Sequence, residues 1–325
     1  MFNVKKEDKI LSNYKFIDLF CGIGGFHLAL SSYGAKCVFA SDINKEASEI
    51  YEQNFTIKPH GDIRKIHAKD IPSHDILCAG FPCQAFSISG NMNGFADADG
   101  KLFFETLRII KYHKPKLIIL ENVRNLVSHN GGETIKVIED RLKKSGYDVF
   151  RKVLCSNEFS VPQVRYRVYI VAFRCDLNVK NFLFPEKKGK MKCLNDILEK
   201  NIDEKYYIKK EYTINECNII KKSNKLIRIG YVGQGRQGER IYSPMGQSTT
   251  LSSQGGGIGG KTGMYLIDNK VRKLTPRECA RLMGFPDRFK IAKSDNECYK
   301  QFGNSVVVNV IQEIVRLASK ELCKG

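Results

Sequence analysis

The chain is 325 residues long, enough for one large elaborated domain or for two domains. Hydrophobic residues make up 42%, yet no run approaches the roughly 20 apolar residues of a membrane span, and the start MFNVKKEDKILSNYKF lacks the apolar block of a signal peptide, so a soluble cytoplasmic protein is expected. The formal net charge of +18 attracts polyanions, nucleic acid first among them, and 11 cysteines without a C-x-x-C pair argue against a disulfide framework and a zinc site.

Short apolar runs alternate with amphipathic stretches through the first half, the pattern of a parallel sheet with crossover helices. Strands are expected at 15–20 (KFIDLF), 37–42 (CVFASD), 75–81 (DILCAGF), 116–123 (KLIILENV), 149–155 (VFRKVLC) and 167–174 (RVYIVAFR). Between them GGFHLALSSYG, NKEASEIYEQNF, KLFFETLRIIKYH and GETIKVIEDRLKKSG space their apolar residues by three and four, with Gly34 and Gly146 as C-caps. A doubly wound α/β domain is expected. Past residue 175 the texture turns lysine-rich and aperiodic, which puts a domain boundary near 185–200. Residues 228–267, dense in glycine, serine, glutamine and arginine, read as recognition loops joined by short strands. The last twenty residues return to helical periodicity, with Asn304 or Ser305 as N-cap and an apolar face through Val307, Val310, Ile311, Ile314 and Leu317. That helix is expected to pack back on the first domain.

DLFCGIGGF, residues 18–26, follows the first strand with glycines at 22, 24 and 25, which let the backbone turn sharply toward a helix N-terminus. The spacing G-x-G-G disfavours a pyrophosphate-bearing dinucleotide and favours a smaller adenosyl ligand, the alternative being a plain strand-to-helix turn. Asp42, after the second strand, stands where an acidic residue bonds ribose hydroxyls, whereas Asp62 suits such a site or a helix cap. Cys83, in GFPCQAFS, lies at the end of the third strand, where open α/β sheets place ligand-binding residues. Taken singly, a free cysteine is more often packed than reactive, but the stretch after it is too polar for packing. Glu121, in LENV, brings a carboxylate to the same sheet edge, a salt-bridged structural glutamate being the alternative. Arg165 and Arg167 stand two apart at the start of a strand, where an anionic or carbonyl-rich substrate would satisfy them.

DLFCGIGGF, GFPCQAFS, ENV, QVRYR, RKLTPRECARLMGFPD and KQFGNSVVVNV stand in this order between residue 14 and about residue 312, and together they resemble the motifs of DNA cytosine-5 methyltransferases. DILCAGFPCQAFSISG and QGERIYS are similar to the HhaI-type bacterial enzymes of restriction-modification systems, which modify GCGC. The resemblance implies a doubly wound, Rossmann-like S-adenosylmethionine-dependent domain over 1–193 plus 304–325, a smaller, mostly β DNA-recognition domain over 194–275, and a hinge region over 276–303. It further implies a monomeric, nucleoid-associated bacterial enzyme acting on double-stranded DNA without a metal. A cognate restriction endonuclease would act on the same site without a stable complex.

Carried over residue by residue, Cys83 would add to carbon 6 of a cytosine and so activate carbon 5 for methylation. Protonated Glu121 would hydrogen-bond ring nitrogen 3 and the amino group, Arg167 the carbonyl oxygen, and Arg165 would help place Glu121 and the thiolate. The cofactor residues would be Phe20, Gly22, Ile23, Gly24, Gly25, Asp42, Ile43, Asp62, Ile63, Gly80, Pro82, Leu102, Asn304, Ser305 and Val306. A stacked base is out of reach of this chemistry, so the cytosine must flip out. Ser89 and Gln237 would fill the vacated stack, with Ser87 in the same loop as Ser89. Arg240 would read guanine, the backbone at Gly256 and Gly257 would approach the major groove, and Thr250 would touch a phosphate. Among the departures, Cys21 replaces a small alanine, and Ile43 stands where an aromatic often stacks on adenine, which weakens cofactor affinity. Arg236 and Gln254 differ in the recognition loops and bear on the outer bases. Two rival readings are a transfer RNA cytosine-5 methyltransferase, against which QAFSISG and the glycine-rich segment argue, and a non-catalytic relative, which should have lost Cys83, Glu121 or Arg167.

Overall fold

A computed structural model describes residues 9–81, 102–187, 190–215 and 221–324. The chain divides into two compact units, the first formed by residues 1–154, 166–185 and 310–325 and the second by residues 155–165 and 186–309.

The first unit is built on strands β1 (Lys15–Leu19), β2 (Lys36–Ser41), β3 (Ile76–Ala79), β4 (Leu117–Val123), β5 (Tyr147–Cys155) and β6 (Tyr166–Arg174), in the order β2-β1-β3-β4-β6-β5. The first four are parallel, joined through helices α1 (Gly25–Ser31), α2 (Lys45–Phe55) and α3 (Leu102–His113), while α4 (Glu133–Lys144) leads on to β5. All four residues of β3 and the first six of β4 are buried, as expected for strands covered on both faces. Their side chains meet Phe103, Leu107 and Ile110 of α3 and Ile135, Ile138 and Leu142 of α4 in one core.

The parallel sheet expected from the sequence is corrected at one position: β6 runs antiparallel to β4. A parallel strand needs a crossover of a dozen or more residues, usually a helix. Between β5 and β6 there is only a 3₁₀ turn at Ser156–Glu158, so the chain turns straight back and β6 is inserted between β4 and β5.

A second correction concerns the C-terminal helix. Asn304 is the last residue of helix α6 (Asp295–Asn304), Ser305 is its extended C-cap, and the final helix α7 begins only at Val308 and runs to Leu322. The helix breaks here because the carbonyls of Gly303 and Ser305 accept from the Arg165 guanidinium, both at 2.9 Å, instead of from helical amides. On α7 the apolar stripe runs through Val310, Ile311, Ile314 and Val315 to Ala318 and Leu322, leaving Leu317 half-buried. The Leu322 carbonyl accepts from the Tyr14 hydroxyl at 3.2 Å within the first unit.

The second unit carries a sheet of β7 (Tyr212–Ile214), β8 (Arg228–Val232), β9 (Arg240–Tyr242), β10 (Met264–Ile267) and β11 (Lys270–Arg272) in the order β11-β10-β9-β8-β7. Asp268 and Asn269, both left-handed at φ 49° and 61°, form the two-residue turn between β10 and β11. On this sheet Ile229, Val232, Ile241, Met264 and Val271 pack as one apolar cluster. A buried ion pair supplements it. Arg272, 1% exposed, forks onto the carboxylate of fully buried Glu278 at 2.7 and 2.8 Å, in helix α5 (Pro276–Leu282). The same carboxylate accepts the amides of Thr275 and Glu199, each at 2.8 Å, so no charge is left unsatisfied on it.

Breaking such a pair from one side leaves a buried charge without its partner. Glu278→Ala is therefore expected to cost about 3 to 5 kcal/mol. Denaturant unfolding followed by tyrosine fluorescence, in a chain with no tryptophan, measures this; a loss below about 1 kcal/mol, the size of an exposed pair, would refute it.

Candidate active site

The glycine turn connects β1 to α1 through a backbone that is left-handed at Phe20 (φ 54°), Gly22 (φ 52°) and Gly24 (φ 90°). At Gly24 a side chain is excluded twice, by that φ and because a Cβ would run into the Phe55 ring. Phe55 is itself held by a stack on His27, with centroids 3.9 Å apart and planes at 14°, and His27 Nδ1 lies 2.7 Å from the Tyr51 hydroxyl. Burial keeps this imidazole neutral, with its pKa pulled down to about 4. Asp18, fully buried on β1, is pushed well above the ordinary carboxylate range, first by burial, with the His27 backbone amide opposing.

Asp42 sits where β2 ends, and its two oxygens are engaged from opposite sides: the Gly22 amide donates to Oδ2 at 2.7 Å and the Asn44 amide to Oδ1 at 2.8 Å. Burial raises its pKa, and the two amides oppose the shift. The turn and the acidic residue expected to serve it are thus directly bonded. Asp62 caps the 3₁₀ turn Ile63–Lys65 and is gripped by Arg64, whose Nε lies 2.9 Å from Oδ1 and whose Nη2 lies 2.7 Å from Oδ2. The Arg64 fork holds Asp62 below the usual carboxylate range. Ile63 is buried, whereas Ile43 is 68% exposed.

Gly80 and Phe81 follow β3; Pro82, Cys83, Ser87 and Ser89 lie outside the described residues, and Leu102, half-buried, opens α3. The entrance to that stretch is fixed. Phe81 is 2% exposed in the core, and its carbonyl accepts from Nδ2 of Asn122 at 3.1 Å. Asn122, in LENV, was not singled out in the sequence; two consecutive polar residues ending an apolar strand were the available signal.

Glu121, 9% exposed, meets Arg167, with Nε 3.2 Å from Oε1. The strand register accounts for the pair: Val123 faces Arg167 and Glu121 faces Tyr169, so Glu121 and Arg167 are diagonal neighbours on one face. Arg167 Nη1 also donates to the Tyr166 carbonyl at 2.8 Å. Arg165, 2% exposed and counted with the second unit, donates to the carbonyls of Leu251, Gly303 and Ser305 at 3.1, 2.9 and 2.9 Å. Its guanidinium thereby fixes the segment holding Asn304, Ser305 and Val306, of which Asn304 is exposed and Val306 buried.

In the second unit, Gln237 is exposed at the start of a 3₁₀ turn, Gln237–Glu239, and Arg240, partly buried, opens β9 directly after it. The Gly238 carbonyl accepts from the Gly259 amide at 2.9 Å, which brings the loop of exposed Gly256 and Gly257 against that turn. Thr250 stands elsewhere, its hydroxyl donating to the Val164 carbonyl. Among the described residues no group of three or more His, Cys, Asp or Glu gathers as metal ligands, and no helix is long and apolar enough to cross a membrane.

A family described as C-5 cytosine-specific DNA methylase matches residues 14–320. The type II methyltransferase M.HhaI of Haemophilus parahaemolyticus is 48% identical over 313 residues, covering 96% of each chain. M.HaeII of Haemophilus aegyptius is 44% identical over 306 residues, covering 94% of this chain and 92% of its own. Among solved structures, the Dnmt2 methyltransferase of S. pombe superposes with a TM-score of 0.72 at 25% identity, covering 95% of this chain and 99% of the other. The chain belongs to the C-5 cytosine-specific DNA methylase family and is a DNA cytosine-5 methyltransferase.

Proposed function

We propose that the protein extrudes a cytosine from duplex DNA and methylates its carbon 5, taking the methyl from S-adenosylmethionine, with the inner cytosine of GCGC as target and protection of host DNA from a partner endonuclease as purpose. The observation that carries this reading is the Glu121–Arg167 pair standing next to Asn122, whose amide fixes the carbonyl two residues before Cys83. One sheet edge thereby supplies an acid, a cation and the anchor of a nucleophile.

S-adenosylmethionine supplies an electrophilic methyl group on a sulfonium. The residues fit such a ligand: the left-handed turn at Gly22 and Gly24 leaves no room for a side chain at Gly24, and Asp42 offers a carboxylate to ribose hydroxyls beside it. Ile63, Gly80 and Leu102 complete the proposed cofactor contacts of the first unit. Ile43 offers less surface to an adenine than an aromatic ring would.

In the reaction, Cys83 adds as thiolate to carbon 6, which makes carbon 5 nucleophilic. Glu121, protonated, hydrogen-bonds ring nitrogen 3 and steadies the charge that moves into the ring, with Arg167 fixing its carboxyl group and reaching the carbonyl oxygen. Loss of the carbon 5 proton and expulsion of Cys83 then restore the aromatic base. Ser89 and Gln237 occupy the space left in the duplex, and Arg240 reads guanine through its fork. Support for Gln237 and Arg240 as one reading head comes from their adjacency on a turn buttressed by Gly259.

Methyl labelling of duplexes carrying GCGC and of its single-base variants tests the whole reading. Label confined to GCGC is expected, with none after Cys83→Ala; label in RNA alone, or in the alanine variant, would overturn it. Asn122→Ala releases the carbonyl before Cys83 and is expected to lower kcat about 100-fold, the size of a misplacement of about 1 Å, while leaving the Kd for S-adenosylhomocysteine unchanged. An unaltered kcat would show that the anchor is idle. Asp42 must be ionised to accept from ribose, and burial raises its pKa above 3.8, so affinity for S-adenosylhomocysteine should fall with decreasing pH earlier than an ordinary aspartate allows. Calorimetry across pH, with Asp42→Asn removing the dependence, checks the sign.

A further inference from the structure

Outside the Glu121–Arg167 pair, one cation on the same strand ends is held in an unusual way. Arg124, exposed, follows β4 directly, and its guanidinium carbon lies 5.4 Å from the centroid of the Tyr166 ring. Tyr166 is itself 45% exposed at the start of β6, and its carbonyl accepts from Arg167. Successive strand residues point to opposite faces, so the Tyr166 ring faces away from the Arg167 side chain. Tyr166 therefore links the two cations from either side of the strand: its backbone carbonyl accepts from Arg167, which pairs with Glu121, and its ring lies under Arg124.

The chemistry of Arg124 narrows its use. A guanidinium carries five N–H donors in its plane, and a cation–π contact with a ring restricts its motion without a conventional hydrogen bond to any of them. Among the described residues no carboxylate pairs with Arg124, and among the described arginines it is the one that lies over an aromatic ring. An exposed cation, oriented in advance and with its fork available, matches a phosphate diester, whose oxygens accept in the plane of the fork. With a chain charge of +18, the polyanion to expect is the DNA itself.

We propose that Arg124, held by Tyr166, grips a backbone phosphate beside the extruded nucleotide, so that the duplex is fixed at the rim while the base enters the site. This rests on the reading of the protein as a base-flipping DNA methyltransferase. Arg124 would be a sequence-independent contact, and Tyr166 a positioning residue acting through it.

Fluorescence anisotropy of the full chain with a labelled GCGC duplex and a scrambled duplex, from 50 to 200 mM salt, tests the proposal. Arg124→Ala is expected to weaken binding several-fold on both duplexes alike and to reduce the slope of log affinity against log salt by about one. Tyr166→Ala should shift the slope the same way, whereas Tyr166→Phe, which keeps the ring, should retain it. Lys136→Ala removes the same charge from a cation already paired with Glu133 and should leave the slope unaltered. A wild-type slope in Arg124→Ala, an equal loss in Lys136→Ala, or a Tyr166→Phe variant as impaired as Tyr166→Ala would overturn the proposal. Methyl transfer by the wild-type chain to the same GCGC duplex, run in parallel, separates the two levels: transfer with an unaltered Arg124→Ala slope sinks this contact alone, and absence of transfer sinks the reading beneath it.

Discussion

Two consecutive polar side chains at the end of a strand that is otherwise apolar and buried set the constraint on which the candidate-site edge depends. Glu121 and Asn122 are 9% and 3% exposed, and a polar group so buried is costly unless it finds a partner. Because they are consecutive, they point to opposite faces of the sheet and cannot share one. Asn122 turns to the carbonyl of Phe81 and so ties the end of β4 to the chain leaving β3. Glu121 turns to Arg167, and this pairing depends on the antiparallel direction of β6. Arg167 is the second residue of β6; only in the antiparallel orientation does the start of that strand lie beside the end of β4, where Val123 faces Arg167. A parallel β6 would carry the guanidinium to the opposite edge of the sheet.

Much of this arrangement was legible in the sequence. The apolar runs marked all six strands of the first unit to within about two residues, most tightly constrained at β3 and β4, where a strand buried on both faces has little choice of composition. The G-x-G-G turn and Asp42 were equally readable, since a left-handed backbone admits few residues other than glycine. Strand direction was not. Hydrophobic periodicity is the same for a parallel and an antiparallel strand, and the missing helix between β5 and β6 was the one signal that separated them. Arg64 went unread for a different reason: a neighbouring carboxylate and guanidinium are common on any surface, and nothing in HGDIRK says that they will close on each other.

The second unit meets a different constraint. Loops rich in glycine, serine and glutamine bury little apolar area, and the buried cluster on the sheet consists of Ile229, Val232, Ile241, Met264 and Val271. Rigidity comes instead from polar geometry that is completely satisfied: the Arg272–Glu278 fork, the two amides on the same carboxylate, and backbone contacts between glycine-bearing loops. Hydrogen bonds there fix positions where packing cannot.

Arg165 shows why two arginines so close in sequence are not interchangeable. A buried guanidinium is expensive to desolvate. Its donors meet the carbonyls of Gly303 and Ser305 where α6 ends, and the partial negative charge of a helix C-terminus favours a cation there. Gly303 is needed for the same closure, since a Cβ there would press on the backbone of Ser252 and Ser253, next to the Leu251 carbonyl that Arg165 also binds. A lysine, with one ammonium on a flexible stem, lacks the planar fork that spans these separate carbonyls. The break between α6 and α7, which the sequence reading set at Asn304 or Ser305 as the cap of the last helix alone, is thus held from outside by a single residue about 140 positions earlier, and it leaves Asn304 exposed at the last position of α6.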